Sequence, residues 1–199
     1  MEITAKDVME LRKRTGAGMM DCKKALADTG GNFEKAADLL REKGLAAAQK
    51  RAGREISNGF IGFYLHNGER LAAMVEVGCE TDFVARNEDF RAFANNIAMH
   101  IAATNPFAID ENGVDKNIID KEREIYRGQA LNEGKKPEFV EKIIDGRMKK
   151  FFKENCLLDQ IYVRDEEHKK TIQDILNELI AKIGENIVIK RFIRYEVGE

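Results

Sequence analysis

Over the first 45 positions apolar residues recur every three or four residues and are interrupted by two glycine clusters, which predicts three short helices. Thr4 is placed to cap the first, with Asp7 completing a capping box and Ile3 and Val8 at the staple positions. The run Thr15-Gly16-Ala17-Gly18 stops it, because glycine accepts the left-handed turn that follows a helix end. A second helix covers roughly Met20–Ala27 and breaks at Gly30-Gly31. Asn32 caps the third, whose Phe33, Ala36, Ala37, Leu39 and Leu40 share one side, and Gly44 is expected to end it. Leu45–Arg54 then reads as a basic, alanine-rich, solvent-exposed helical connector. The reading divides the chain into residues 1–45, a linker at 46–54, and a larger domain at 55–199.

Past the connector the period becomes two-fold. Gly59–Leu65 and Leu71–Val77 predict a hairpin around Asn67-Gly68. Thr81-Asp82-Phe83-Val84 falls on a loop, after which Asn87 caps a helix lined by Phe90, Phe93, Ala94, Ile97 and Ile101 and closed by Asn105-Pro106. Residues 113–155 predict an antiparallel helical pair projecting into solvent. Ile118, Ile119, Ile125, Tyr126 and Leu131 line one arm, and Phe139, Val140, Ile143, Met148 and Phe151 the other. A helix over Glu166–Ile183 follows, then a long strand, Asn186–Val197, with Ile187, Ile189, Ile193, Tyr195 and Val197 on one face. Few strands among many helices, without strict alternation, make the fold class α+β.

Composition narrows the function classes. The chain has 199 residues, 43% hydrophobic and 34% charged, too apolar for a disordered chain. Its 33 basic and 35 acidic residues leave a net charge of −2, so bulk attraction to nucleic acid or to an acidic membrane does not organise it. No apolar run approaches a membrane span and the N-terminal segment lacks the apolar stretch of a signal peptide, so a cytoplasmic location is expected. Cys22, Cys79 and Cys156 form neither a disulfide framework nor a metal pattern, and no cofactor is expected.

The candidate chemistry is sparse. Cys79, Asp82, His66 and His100 supply the residue types of a nucleophilic triad, but a buried core cysteine at a strand end is the simpler reading, so the chain is not expected to be an enzyme. Gly16-Ala17-Gly18 lacks the strand and the Lys-Ser/Thr of a phosphate loop. The basic stretch Arg147–Lys153 is interleaved with acid upstream and reads as a solvated helix face, with no direct nucleic-acid partner expected. Two features stand out. Met19 and Met20 point about 100° apart beside a small three-helix core, either as an exposed, adaptable protein-binding surface or both as core fillers. Asp82-Phe83 sets a charge beside a large ring between a strand and a helix, either as a probe or as a capping acid with a core ring.

At these residues the chain resembles the bacterial elongation factor Ts family, the nucleotide-exchange factors of elongation factor Tu. LRKRTGAGMMDCKKAL (Leu11–Leu26) and EVGCETDFVAR (Glu76–Arg86) are similar to its two long motifs, with Gly78 where asparagine is usual. YLHNGERLAAMVEV, IAMHIAA, EGKKPEFVEKIIDGRMKKF and KIGENIVIKRFIRYEVG extend the resemblance over nearly the whole chain. It implies an N-terminal ubiquitin-associated-like helical domain and a core α+β domain with an inserted antiparallel coiled coil. It further implies a short form of the family that assembles as a homodimer. The implied partner is elongation factor Tu, both GDP-bound and nucleotide-free. Thr81, Asp82, Phe83 and Val84 would dislodge the partner's Mg²⁺, His66 would be a second intruding side chain, and Leu11, Met19 and Met20 would anchor the N-terminal helices. The competing reading is a ubiquitin-associated-type binding module with an unrelated partner, which accounts for residues 1–45 alone.

Overall fold

Local signals set most element ends in the computed structural model, which describes residues 3–199. The domain reading that begins at residue 1 therefore includes two residues that lie outside the described ones. Thr4 caps α1 (Ala5–Thr15): its hydroxyl accepts the Asp7 N–H, and the Asp7 carboxylate accepts the Thr4 N–H. Gly16, at φ 69°, ends that helix, and α2 (Met19–Asp28) follows. Asn32 caps α3, which covers Phe33–Arg51 and does not stop at Gly44. A lone glycine inside a helix costs only about 1 kcal/mol relative to alanine. Contacts with the far end of the chain offset that cost: Arg41 pairs with Asp174 at 2.8 Å, and Arg51 Nε donates to the Gly184 carbonyl at 2.9 Å. The basic connector thus forms the last turns of α3 as far as Arg51. Val8, Leu11, Cys22, Ala25, Leu26 and Ala36 form the core shared by the three helices.

The sheet is antiparallel, in the order β1 (Asn58–Leu65), β2 (Leu71–Cys79), β3 (Val188–Glu196). α5 (Glu88–Thr104), capped by Asn87, covers one face of it. Gly62 permits that approach, because a Cβ there would sit 2.4 Å from the Ala94 backbone. Phe60, Val75, Val77, Phe90, Ile97 and Ile101 belong to the resulting core. The single-face expectation for the last strand is corrected by a β-bulge. Glu76 pairs with Arg191 while Val77 pairs with Ile189, so Lys190 is the extra residue. One inserted residue reverses which side chains face inward. Ile187 and Ile189 are buried, but beyond the bulge Phe192 packs on the core and Ile193, Tyr195 and Val197 are exposed.

α6 (Lys116–Asn132) and α7 (Pro137–Asn155) run antiparallel around a second small core of Ala130, Val140, Ile144, Met148 and Phe151. Ile118, Ile125, Leu131 and Phe139 are exposed, contrary to expectation. The contact is narrower than the apolar stripe, and alanine and Ile144 occupy its centre. Arg147 reaches across to Gln129 and Glu133, so this basic residue is tied within the pair. α8 begins at Ile172 and ends at Ile183, six residues later in its start than expected. The Asp165 carboxylate accepts the Lys169 and Lys170 N–H groups and closes a turn there, leaving the Thr171–Asp174 capping box to start the helix.

Candidate functional site

Asp82–Ala85 is a short helix rather than a loop. Thr81 has extended backbone and caps α4 (Asp82–Ala85), its Oγ1 accepting the Val84 N–H at 3.4 Å. Asp82 stands in the first turn, where the helix dipole favours an anion, and its carboxylate pairs with Arg86 at 2.8 Å. Val84 turns inward onto the main core. Phe83 turns outward and is 80% exposed. The alternative of a core ring at position 83 is therefore excluded. The result is a large apolar ring exposed beside a carboxylate, on a short helix capped by Thr81.

His66 lies at the other end of the hairpin, in the β1–β2 turn, with its Nδ1 2.9 Å from the Tyr64 hydroxyl. The register pairs Leu65 with Ala72 at that end and Asn58 with Cys79 at the Thr81 end. Seven strand steps separate them by roughly 20–25 Å. The structure therefore does not bring His66 to Asp82 and Phe83 within one chain. Met19 and Met20, at the start of α2, are 42% and 75% exposed. Leu11 is a correction: it is completely buried in the core of α1–α3 and offers no surface to a partner.

The triad residue types are also kept apart. Cys79 is buried, its thiol donates to the Thr81 carbonyl at 3.2 Å, and burial, with the nearby Glu185 charge, pushes its pKa up to about 11. His100 is buried against Gln160 in another part of the core. Among the described residues no group of acidic, histidine and cysteine side chains has the arrangement of a metal site. No described helix is long and apolar enough to cross a membrane. A concavity of ≈ 850 Å³ between α3 and α8 is lined largely by charged residues, among them the pairs Arg41–Asp174 and Lys170–Glu178, and by none of the expected site residues.

Sequence reasoning missed Glu185, whose carboxylate accepts the N–H groups of Glu80 and Thr81 and the Thr81 hydroxyl. One signal was present. An acid just past a helix C-terminus opposes the helix dipole and implies donors elsewhere.

The sequence profile of the family described as Elongation factor TS matches residues 34–199. Proteins named Elongation factor Ts share similar identity throughout. That of Caldanaerobacter subterraneus subsp. tengcongensis is 57% identical over 197 residues, covering 99% of this chain and 98% of the relative. That of Nitratidesulfovibrio vulgaris is 58% identical over 198 residues, covering 100% and 98%, and that of Geobacter metallireducens 56% over 199 residues, covering 100% and 91%. A match of this extent takes in the exposed Phe83 turn, the α6–α7 pair and the final strand together, and the chain belongs to the elongation factor Ts family.

Proposed function

We propose that this chain is a guanine nucleotide exchange factor of translation elongation, acting on elongation factor Tu. Family membership supports the partner, and the observation that carries the mechanism is Phe83, exposed on a capped turn beside Asp82. A GTPase holds its nucleotide through a phosphate-cradling loop and a Mg²⁺ ion. Nanomolar affinity corresponds to about −12 kcal/mol, so unaided release is slow. The factor makes and breaks no covalent bond. It binds the nucleotide-free partner better than the GDP-bound one, and reciprocity of coupling weakens GDP by the same factor. Asp82 and Phe83, carried on the Thr81–Val84 turn, enter beside the partner's Mg²⁺ and displace the groups that hold it. GDP then leaves and GTP can bind.

Other assignments accompany this reading. Residues 1–45 act as a ubiquitin-associated-like unit, with Met19 and Met20 as its anchor on the partner. The α3 end at 46–54 joins it to the core at 55–199, in which α6 and α7 serve as the coiled-coil arm. A second copy covers the outer sheet face, where Phe63, Met74 and Ile193 align in register and are exposed. Because His66 and Phe83 lie at opposite hairpin ends, a two-fold axis crossing the strands would set His66 of the second copy near Phe83 of the first.

Stopped-flow release of labelled GDP from elongation factor Tu tests the wedge. Fully burying one phenylalanine contributes about 1.5–3 kcal/mol, equivalent to roughly 10–150-fold in rate. Phe83→Ala is therefore expected to slow release by at least about tenfold while leaving the melting temperature unchanged. A stable variant that releases GDP at the wild-type rate removes Phe83 from the mechanism.

A further inference from the structure

The turn that carries Phe83 is held from the far end of the chain. Glu185 lies between α8 and β3, 104 positions from Thr81. Its Oε2 accepts the N–H groups of Glu80 and Thr81, both at 3.1 Å, and its Oε1 accepts the Thr81 hydroxyl at 2.6 Å. A threonine hydroxyl has one proton. With that proton directed to Glu185, the Thr81 oxygen is left as the acceptor that caps α4 at Val84 N–H. The carboxylate thus sets the backbone immediately before Asp82 and also the orientation of the cap. Bonds to an ionised acceptor are roughly twice as strong as neutral ones. The same two segments are tied again in the opposite sense, since the Glu80 carboxylate accepts the Asn186 N–H. Asn186 Nδ2 donates in turn to the Arg54 carbonyl at 3.0 Å. Phe83 is mostly exposed, so its direction before contact depends on the turn beneath it.

We infer that Glu185 is the positioning residue of the exchange wedge: through Thr81 it holds Asp82 and Phe83 in the geometry that enters the partner's Mg²⁺ site. The inference rests on the reading that Asp82-Phe83 drives GDP release. A wedge left unheld must be ordered at the moment of contact, and small misplacements of an acting group cost large factors in rate.

The test uses the full chain with Glu185→Gln, which keeps the side chain's shape but removes its charge and one acceptor oxygen. Hydrogen exchange at the amides of Glu80, Thr81 and Val84 should quicken while the β1–β3 amides keep their protection. The maximal rate of GDP release should fall roughly tenfold, with the half-saturating concentration of factor little changed. In a Phe83→Ala background the same substitution should cause a much smaller loss, because only Asp82 is left to be positioned. Should Glu185→Gln fail to fold, Thr81→Val provides the second variant and should show the same loss of GDP release. Wild-type release by Glu185→Gln and Thr81→Val, beside a slow Phe83→Ala, overturns this inference and leaves the wedge standing. So does a rate loss that is additive with Phe83→Ala, or one that tracks a lowered melting temperature and weakened binding. Wild-type release by Phe83→Ala overturns both readings.

Discussion

Single side chains in this protein divide into those that hold the fold and those that leave it. Phe83, Met19 and Met20 leave it, and His100 shows the opposite case. His100 is fully buried, its Nδ1 accepting the Val163 N–H at 3.3 Å and its Nε2 paired with Gln160 Oε1 at 3.0 Å. An amide N–H can only donate, so Nδ1 is unprotonated and Nε2 carries the proton. Burial holds the imidazole pKa below its ordinary value, with the Gln160 hydrogen bond opposing the shift. The neutral form is thus favoured in the fold. Its contribution to stability is complete above the ordinary value of about 6.5 and is lost as pH falls from there toward the folded value. Thermal melts taken from about pH 7.5 to 5.5 should therefore decline, and His100→Gln should flatten that decline while lowering the plateau. An equal slope in the variant would assign the titration elsewhere. The sequence showed His100 within IAMHIAA but could not pair it with Gln160, 60 positions away.

Elements were legible where local chemistry defines them and opaque where distant contacts do. The caps Thr4, Asn32, Asn87 and the stop at Gly16 all act within four residues and were read correctly. Gly44 was misread, because α3 is carried through it by contacts to the α8 region that no local window contains. The start of α8 was placed too early for a related reason, since helical periodicity upstream of Thr171 is overridden by the Asp165 turn. Thr171 and Asp174 make the capping box there. Burial pushes the Asp174 carboxyl up, but the Thr171 and Arg41 hydrogen bonds more than offset it and the pKa lies below the ordinary value. Thr171→Ala should cost about 0.5–2 kcal/mol. In a chain of this size that lowers the melting temperature by roughly 2–4 °C per kcal/mol. Because α8 packs on the main core, the whole transition should move. A shift confined to α8 amides in hydrogen exchange, with the melt unchanged, would contradict this.

At the scale of the whole molecule, α5 covers one sheet face, and the other is left uncovered among the described residues. Ile61, Phe63, Leu65, Met74, Ile193 and Tyr195 are exposed on the uncovered face, in which Phe63, Met74 and Ile193 form one cross-strand row. A contiguous exposed apolar row of this kind is the surface that the proposed second copy would cover. If a second copy covers it, Phe63→Glu should convert a dimer to a monomer in light scattering at tens of micromolar, with helical content unchanged. The proposed placement of His66 adds a sharper consequence. His66→Ala should slow GDP release in the dimer and have no further effect in the Phe63→Glu monomer. A wild-type chain that is already monomeric, or a His66 effect that survives in the monomer, would refute the arrangement.

The sequence by itself determined the α+β class, the helical N-terminal segment, the hairpin, the paired α6–α7 arms and the family, whose relatives match over both motifs. Each depends on residues within a few positions of one another or on an unbroken run of identities. Tertiary structure decided the rest. It buried Leu11 while leaving its motif neighbours Met19 and Met20 outside, and it exposed Phe83 rather than packing it. The bulge at Lys190 turned Ile193 and Tyr195 away from the core, a reversal set by pairing with β2 and invisible in the alternation of β3 alone. Hairpin length separated His66 from Asp82, and the fold brought Glu185 to Thr81 across 104 residues. Spacing along a chain fixes which face a residue takes within its own element. Burial and hydrogen bonding between elements depend on where the others pack, and that is settled only when the whole core closes.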